Sequence, residues 1–106
     1  MDGPQASIRH LKMLLWLAEV LAKNGISLYA HEYRPLSFGS FSVEFGRPHY
    51  RVLCQWDGRD SNLAVSFAHL TNQSHQSQWI HDANIRVSAD DVFAEIASNV
   101  LTMLPA

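Results

Sequence analysis

The sequence predicts one α+β domain of 106 residues, built as a two-layer sandwich of order α-β-β-β-β-(β)-α. Apolar residues recur at helical spacing near both ends of the chain, and between these two segments they alternate with polar residues. The length is sufficient for one hydrophobic core without metals or disulfides. We therefore expect an antiparallel meander of four to five strands, with the N- and C-terminal helices packed on one face.

The first helix is predicted over residues 7–25, where Ser7 can cap its start and Gly25 can end it in a left-handed conformation. One apolar stripe at helical spacing is expected to face the core, namely Ile8, Leu11, Leu15, Ala18 and Ala22, widened by Leu14, Leu17 and Leu21. Three further apolar residues fall on or beside the polar side, Met13, Trp16 and Val20. A single core face does not explain these three residues.

Four segments in the middle of the chain have the period-two alternation of antiparallel strands with one buried face, namely residues 26–33, 40–45, 49–56 and 62–69. In the first segment, one face is predicted to carry Ile26, Leu28 and Ala30, and the other face Tyr29, His31 and Tyr33. A shorter fifth strand is expected near Trp79–His81 or Ile85–Val87.

The cluster at residues 57–60 is predicted to be a hairpin turn, because Asp-Gly is among the strongest hairpin signals and Gly58 accepts a positive φ. A four-residue loop places Val52 opposite Val65, and a two-residue turn places Val52 opposite Leu63. Both keep apolar residues on one face, so both registers remain open. The turn at residues 46–49 is expected to pair Val43 with Val52.

The second helix is predicted over residues 88–104, where Ser88 and Asp91 resemble a capping box with Asp in place of Glu. Its apolar stripe is expected to comprise Val92 or Phe93, Ile96, Ala97, Val100 and Leu104. Pro105 then stops the helix.

Composition and charge exclude several classes of function. The single cysteine, Cys54, excludes an internal disulfide and a multi-thiolate zinc site. The net charge is -2 and the basic residues are scattered, so no nucleic-acid partner is expected. Lys12 and Glu19 interrupt the most apolar segment, so no membrane span is expected. The N-terminus lacks the pattern of a secretory signal, which favours a cytoplasmic location.

One catalytic hypothesis is a small metal-dependent hydrolase or nuclease that holds Mg²⁺ between Glu44 and Asp57 or Asp60. Nucleases of the restriction-enzyme type also place a lysine beside the second acid, whereas the lysines here lie on the first helix. The loop histidines offer another candidate metal site, comprising His69, His75 and His81 with Asp82, but their spacing matches no known ligand pattern. We therefore expect no metal, no cofactor and no catalytic residue.

Aromatic and apolar residues outside the core stripes are the better functional signal, because binding surfaces are enriched in Trp and Tyr. The candidate binding residues are Met13, Trp16, Val20, Tyr29, Tyr33 and Trp79. The three on the first helix predict a homodimer formed by two-fold pairing of that helix. An equally open alternative is that the two helices cover more of the sheet and bury these residues within one chain.

In its order of elements the predicted fold resembles bacterial immunity proteins, secretion chaperones and small accessory domains. No residue motif accompanies that resemblance, so it transfers no functional residues to this chain. It implies a non-catalytic module that binds a protein partner or itself, as an inhibitor, a chaperone or a subunit does.

Overall fold

The computed structural model describes residues 3–70 and 79–104, which form two helices and five strands. Helix α1 (Gly3–Ala22) is followed by β1 (Ser27–Arg34), β2 (Ser40–Arg47), β3 (Tyr50–Asp57), β4 (Asn62–His69), β5 (Ile80–Arg86) and α2 (Val92–Met103). The strands form one antiparallel sheet in chain order, with β1 and β5 at its edges. This arrangement confirms the predicted α+β meander with its two terminal helices and includes the fifth strand.

The hydrophobic core lies between the two helices and one face of the sheet. The three central strands contribute the alternating residues Phe41, Val43, Phe45, Val52, Cys54, Trp56, Leu63 and Val65, all buried. Helix α2 contributes Val92, Phe93, Ile96, Ala97 and Val100, which confirms its predicted apolar stripe. Neither helix of the described residues is long and apolar enough to cross a membrane.

The core-facing side of α1 agrees with the prediction only in part: Leu14, Leu17 and Leu21 are buried as predicted, but most of the remaining predicted core residues are not. The buried stripe comprises His10, Leu14, Leu17 and Leu21, whereas the expected core residues Ile8, Leu11, Leu15 and Ala22 are exposed. The two stripes have the same spacing, so periodicity alone does not distinguish them. The buried stripe carries large side chains along its whole length, and therefore fills the core better than a stripe that ends in two alanines.

Strand β1 contains a bulge that changes the predicted assignment of its faces. Leu28 pairs with Phe45 and Ala30 pairs with Glu44, so Tyr29 is an extra residue between two paired positions. Beyond the bulge the alternation is shifted by one residue. His31 and Tyr33 therefore share the helix-covered face with Leu28, and the prediction that Ala30 lies on that face is wrong.

The registers of the central hairpins also differ from the predictions, although every strand keeps its buried face. Val52 lies opposite Phe67 on β4 and opposite Phe45 on β2, not opposite Val65, Leu63 or Val43. Each register is displaced by an even number of residues, two from the Val65 and Val43 pairings and four from the Leu63 pairing, so each side chain remains on the same face.

The predicted turn is present but comprises residues 58–61 instead of 57–60, because Asp57 ends β3 and pairs with Asn62. Gly58 also has a different role from the one expected. The Asp57 carboxylate accepts hydrogen bonds from the backbone N–H groups of Arg59 at 2.9 Å and Asp60 at 3.3 Å. The positive φ of this turn belongs to Ser61, at 51°, and not to Gly58. Position 58 requires glycine for steric reasons, because a Cβ atom there would overlap the carbonyl oxygen of Phe38.

Candidate binding surface

Helix α1 carries a stripe of apolar side chains that face water. Ile8, Leu11 and Leu15 are 54%, 56% and 60% exposed, although each is a large aliphatic residue. Ala18, half-buried, and Ala22, exposed, continue the same line toward the end of the helix. We name these five residues the outer stripe. Single exposed leucines are ordinary, but three in one line form a contiguous patch, and such patches mark contact sites.

The outer stripe lies on the flank of α1 that points away from α2. The opposite flank is identified by Arg9, whose guanidinium donates to the Asp90 carboxylate at 2.7 Å just before α2 begins. Residues on a helix are separated by about 100° of rotation, so Leu11 and Leu15 fall on the far side from that contact, about 160° and about 120° from Arg9. Ile8, about 100° from Arg9, lies between the two flanks and lines a shallow pocket together with Arg9. On that side the sheet ends at the edge strand β1.

Two opposite charges border the outer stripe on its solvent side. Lys12 and Glu19 are both exposed and are separated by two turns of the helix. On the other side of the stripe, Leu14 and Leu21 are buried in the core. The stripe therefore has one charged border and one border continuous with the protein interior.

Strand β1 extends this surface beneath the helix. Seven of its eight residues are exposed, the exception being Tyr33, which is half-buried. Leu28, 39% exposed, lies on the helix-covered face of the strand, since it pairs with the buried Phe45. In the part of the chain that the structure describes, β1 pairs only with β2, so its other edge leaves backbone groups available for further hydrogen bonds.

The six residues predicted to bind a partner do not form one patch. Trp16 is 43% exposed on α1, but Met13 and Val20 are half-buried, and Met13 packs against the core. Tyr29 lies on the uncovered face of the sheet, where the Arg51 guanidinium stacks 3.4 Å from its ring centroid.

The remaining two of the six lie elsewhere. Tyr33 packs against His10 beneath α1, and Trp79 precedes β5 at the opposite edge of the sheet. The sequence interpretation missed Ile8, Leu11 and Leu15 because it assigned them to the core.

A cleft of about 190 Å³ opens where the N-terminal end of α1, the start of α2 and the β1–β2 loop meet. Five aromatic residues contribute to its walls, namely Tyr33, Phe38, Phe41, Trp56 and Phe93. The buried imidazole of His10 forms part of the wall and stacks on Tyr33 with 3.9 Å between the ring centroids.

His10 is also hydrogen-bonded to a second histidine. Its Nε2 atom lies 2.8 Å from Nε2 of His31 on β1, so one ring must donate a proton and the other must accept it. Burial, and to a smaller extent the neighbouring His31, lower the pKa of His10 from 6.5 to about 4. Partial burial also lowers the pKa of His31. Both rings are therefore neutral at neutral pH.

The carboxylates of the metal-dependent hypothesis lie apart in the fold. Glu44 is in the middle of β2 and forms an ion pair with Arg51 at 3.4 Å. Leu53 of β3 lies opposite Glu44. Asp57 is four residues farther along β3, which corresponds to a distance of about 13 Å from that position. Asp57 is the last residue of β3, and Asp60 lies in the turn that follows it.

The thiol and histidine candidates show no converging site among the residues that the structure describes. Within residues 3–70 and 79–104, no three His, Cys, Asp or Glu residues come together to hold a metal ion. His69 ends β4, His81 and Asp82 lie on β5, and His75 falls outside the described residues. Burial raises the pKa of the Cys54 thiol to about 12, so this thiol remains protonated within the core.

Comparison of the chain with protein-family models, with curated proteins and with solved structures finds no match.

Proposed function

We propose that this chain is a non-catalytic protein-binding module and that the outer stripe of α1 is its contact surface. A cytoplasmic location belongs to the same proposal, since the lone buried thiol of Cys54 suits a compartment in which proteins are not stabilised by disulfides. The exposure of Ile8, Leu11 and Leu15 in one line is the observation that carries the proposal.

The energetics of apolar burial support this role. Fully burying an exposed aliphatic side chain contributes about 1.5–3 kcal/mol. A partner that covers the outer stripe would therefore gain binding free energy from each of its large side chains. Because these residues lie outside the core, they are available to a partner without unfolding of the domain. The neighbouring free edge of β1 supports the same surface, since edge strands accept hydrogen bonds from a partner's backbone.

The catalytic alternative has weaker support from the geometry of the described residues. A two-carboxylate metal site needs oxygen ligands that converge within a few ångströms of one point. Glu44 is instead paired with Arg51, and Asp57 holds its own turn through backbone hydrogen bonds. Both arrangements give these acids a structural role.

Photocross-linking tests the proposal directly. A photoreactive amino acid would replace Leu11 on the outer stripe, or Leu101, a 41% exposed leucine on α2, in cells that express the chain. We expect discrete protein adducts from position 11, identified by mass spectrometry, and none from position 101. Equal adducts at both positions, or no adduct at position 11, would contradict a binding role for the stripe.

A further inference from the structure

We infer that the partner bound by the outer stripe is a second copy of this chain, with the two α1 helices packed side by side and antiparallel about a two-fold axis. The inference rests on the proposed protein-binding role and adds the identity and the orientation of the partner. Three properties of the stripe carry it: its spacing, its distribution of large and small residues, and its charges.

The spacing of the stripe is that of a helix-pairing seam. From Ile8 through Leu11, Leu15 and Ala18 to Ala22, the steps alternate between three and four residues. This seven-residue repeat keeps one line of side chains facing a neighbouring helix at a small crossing angle. The core stripe of the same helix is already covered by the sheet, so the outer stripe has the repeat without a partner among residues 3–70 and 79–104, which the structure describes.

The sizes of the side chains favour an antiparallel pair. The large residues Ile8, Leu11 and Leu15 occupy the first half of the stripe, and the alanines occupy the second half. An antiparallel two-fold axis places Leu15 opposite Ala18 of the second copy and Leu11 opposite Ala22 of the second copy. Both leucines then meet an alanine, which allows close packing over the overlapping part of the seam, while Ile8 lies opposite position 25, beyond the end of α1 in the second copy. A parallel pair would set alanine against alanine and leave half of the seam under-packed.

The charges beside the stripe favour the same orientation. Lys12 and Glu19 occupy equivalent positions in successive heptads, on the exposed border of the seam. In an antiparallel pair, Lys12 approaches Glu19 of the second copy, and the two-fold axis repeats this contact at the other end. A parallel pair keeps Lys12 level with Lys12 of the second copy and brings no opposite charges together. The surface is therefore self-complementary in charge only when the helices are antiparallel.

The size of the surface indicates a weak dimer. Helix α1 has 20 residues and is about 30 Å long, and the stripe covers about two-thirds of that length. A standard interface buries about 800 Å² on each partner, which is more than three half-exposed aliphatic side chains supply. The adjacent β1 edge with Leu28 must add to the contact. We therefore expect a Kd on the order of micromolar.

Sedimentation velocity over a range of protein concentrations tests the dimer. We expect the wild type to pass from monomer to dimer through the micromolar range and Leu11→Glu to remain monomeric. The matched control Leu101→Glu places the same charge on an exposed leucine of α2 and should dimerise like the wild type. A wild type that is monomeric at every concentration, or a control that dissociates as readily as Leu11→Glu, would overturn the inference.

Charge reversal tests the orientation with variants that leave the apolar residues unchanged. Lys12→Glu and Glu19→Lys should each weaken dimerisation by about tenfold, because each replaces two attractive contacts with two repulsive ones. The double variant Lys12→Glu/Glu19→Lys restores opposite charges and should recover the wild-type Kd. A double variant as weak as the single variants would overturn the antiparallel arrangement.

The two proposals fail in different ways. A monomeric wild type that still gives adducts with another protein from position 11 overturns the second copy as partner and leaves the binding role intact. The absence of any adduct from position 11 contradicts the binding role itself.

Discussion

The Nε2 atoms of His10 and His31 lie 2.8 Å apart and join helix α1 to the edge strand β1. The bond requires a donor on one ring and a lone pair on the other, so it does not form when both rings are protonated. His10 is buried among aromatic rings, which strengthens its preference for the neutral state. The contact that holds α1 over β1 therefore depends on pH.

The folded protein should lose stability as the pH falls from about 6.5 toward 4. The pKa of His10 is lowered from 6.5 to about 4 in the folded chain, so between these values the unfolded chain binds a proton that the folded chain does not. The free energy of unfolding therefore decreases as the pH is lowered through this window, and this contribution levels off below it. Urea denaturation at a series of pH values measures the effect.

The variant His10→Phe provides the comparison, because carboxylates also destabilise a folded protein in acid. Phenylalanine keeps the aromatic packing and removes the titrating group, so its stability should vary less between pH 6.5 and 5 than that of the wild type. The variant His49→Gln removes a histidine of the β2–β3 turn and should behave like the wild type. Equal pH dependence in the wild type and His10→Phe would show that this histidine is not the cause.

Two leucines of α1 should respond very differently to truncation. Leu17 is fully buried and Leu15 is 60% exposed, although both lie on the same helix. We expect Leu17→Ala to lower the free energy of unfolding by about 2–5 kcal/mol, and Leu15→Ala to lower it by less than about 1 kcal/mol. The measurement is chemical denaturation at a protein concentration below the range of dimerisation. Similar losses for both variants would mean that the outer stripe belongs to the core.

The sequence predicts that α1 forms and that Leu14, Leu17 and Leu21 face the core, but not which neighbouring positions complete the buried side. Both stripes are apolar and have helical spacing, and the helix is apolar nearly all round. The buried stripe includes a histidine, His10, whose partner His31 is distant in sequence and comes near only when the sheet forms. Because His10 is polar, the apolar pattern does not identify it as a core residue, and the buried side of α1 is therefore not recognised in full.

Gly58 should be less tolerant of substitution than a glycine with a positive φ. A Cβ atom on Gly58 would overlap the Phe38 carbonyl, whereas the nearest atom to a Cβ on Gly39 is the Tyr33 hydroxyl at 4.0 Å. We expect Gly58→Ala to lower the free energy of unfolding by roughly 2 kcal/mol or more. Gly39→Ala should lower it by about 1 kcal/mol, because its φ of +71° strains an alanine. Thermal or urea denaturation compares the two, and the reverse ranking would contradict the described loop packing.

The strands are predictable from period-two alternation, and their registers are not. A displacement of two residues preserves every buried face, so Val52 could be placed opposite Val65 or Phe67 with equal consistency. The turns decide between such registers. In the β3–β4 turn the deciding position is Ser61, which has a positive φ, and nothing in the sequence singles out a serine for that conformation.

The bulge in β1 is the third feature that local pattern does not reveal. It inserts Tyr29 and so exchanges the faces of the residues that follow it. The placement of His31 and Tyr33 beneath α1 depends on that one residue. The order of elements was predicted correctly, whereas the exposure of Ile8, Leu11 and Leu15 on α1 and the faces of β1 beyond the bulge were not.

Methyl NMR of the wild-type chain tests the central claim most directly, because it needs no substitution. Spectra of the leucine methyl groups would be recorded as the protein is diluted through the micromolar range. We predict that the resonances of Leu11 and Leu15 shift with concentration, while those of the exposed Leu101 and the buried Leu17 remain constant. Constant resonances at Leu11 and Leu15, or equal shifts at Leu101, would contradict self-association through the outer stripe.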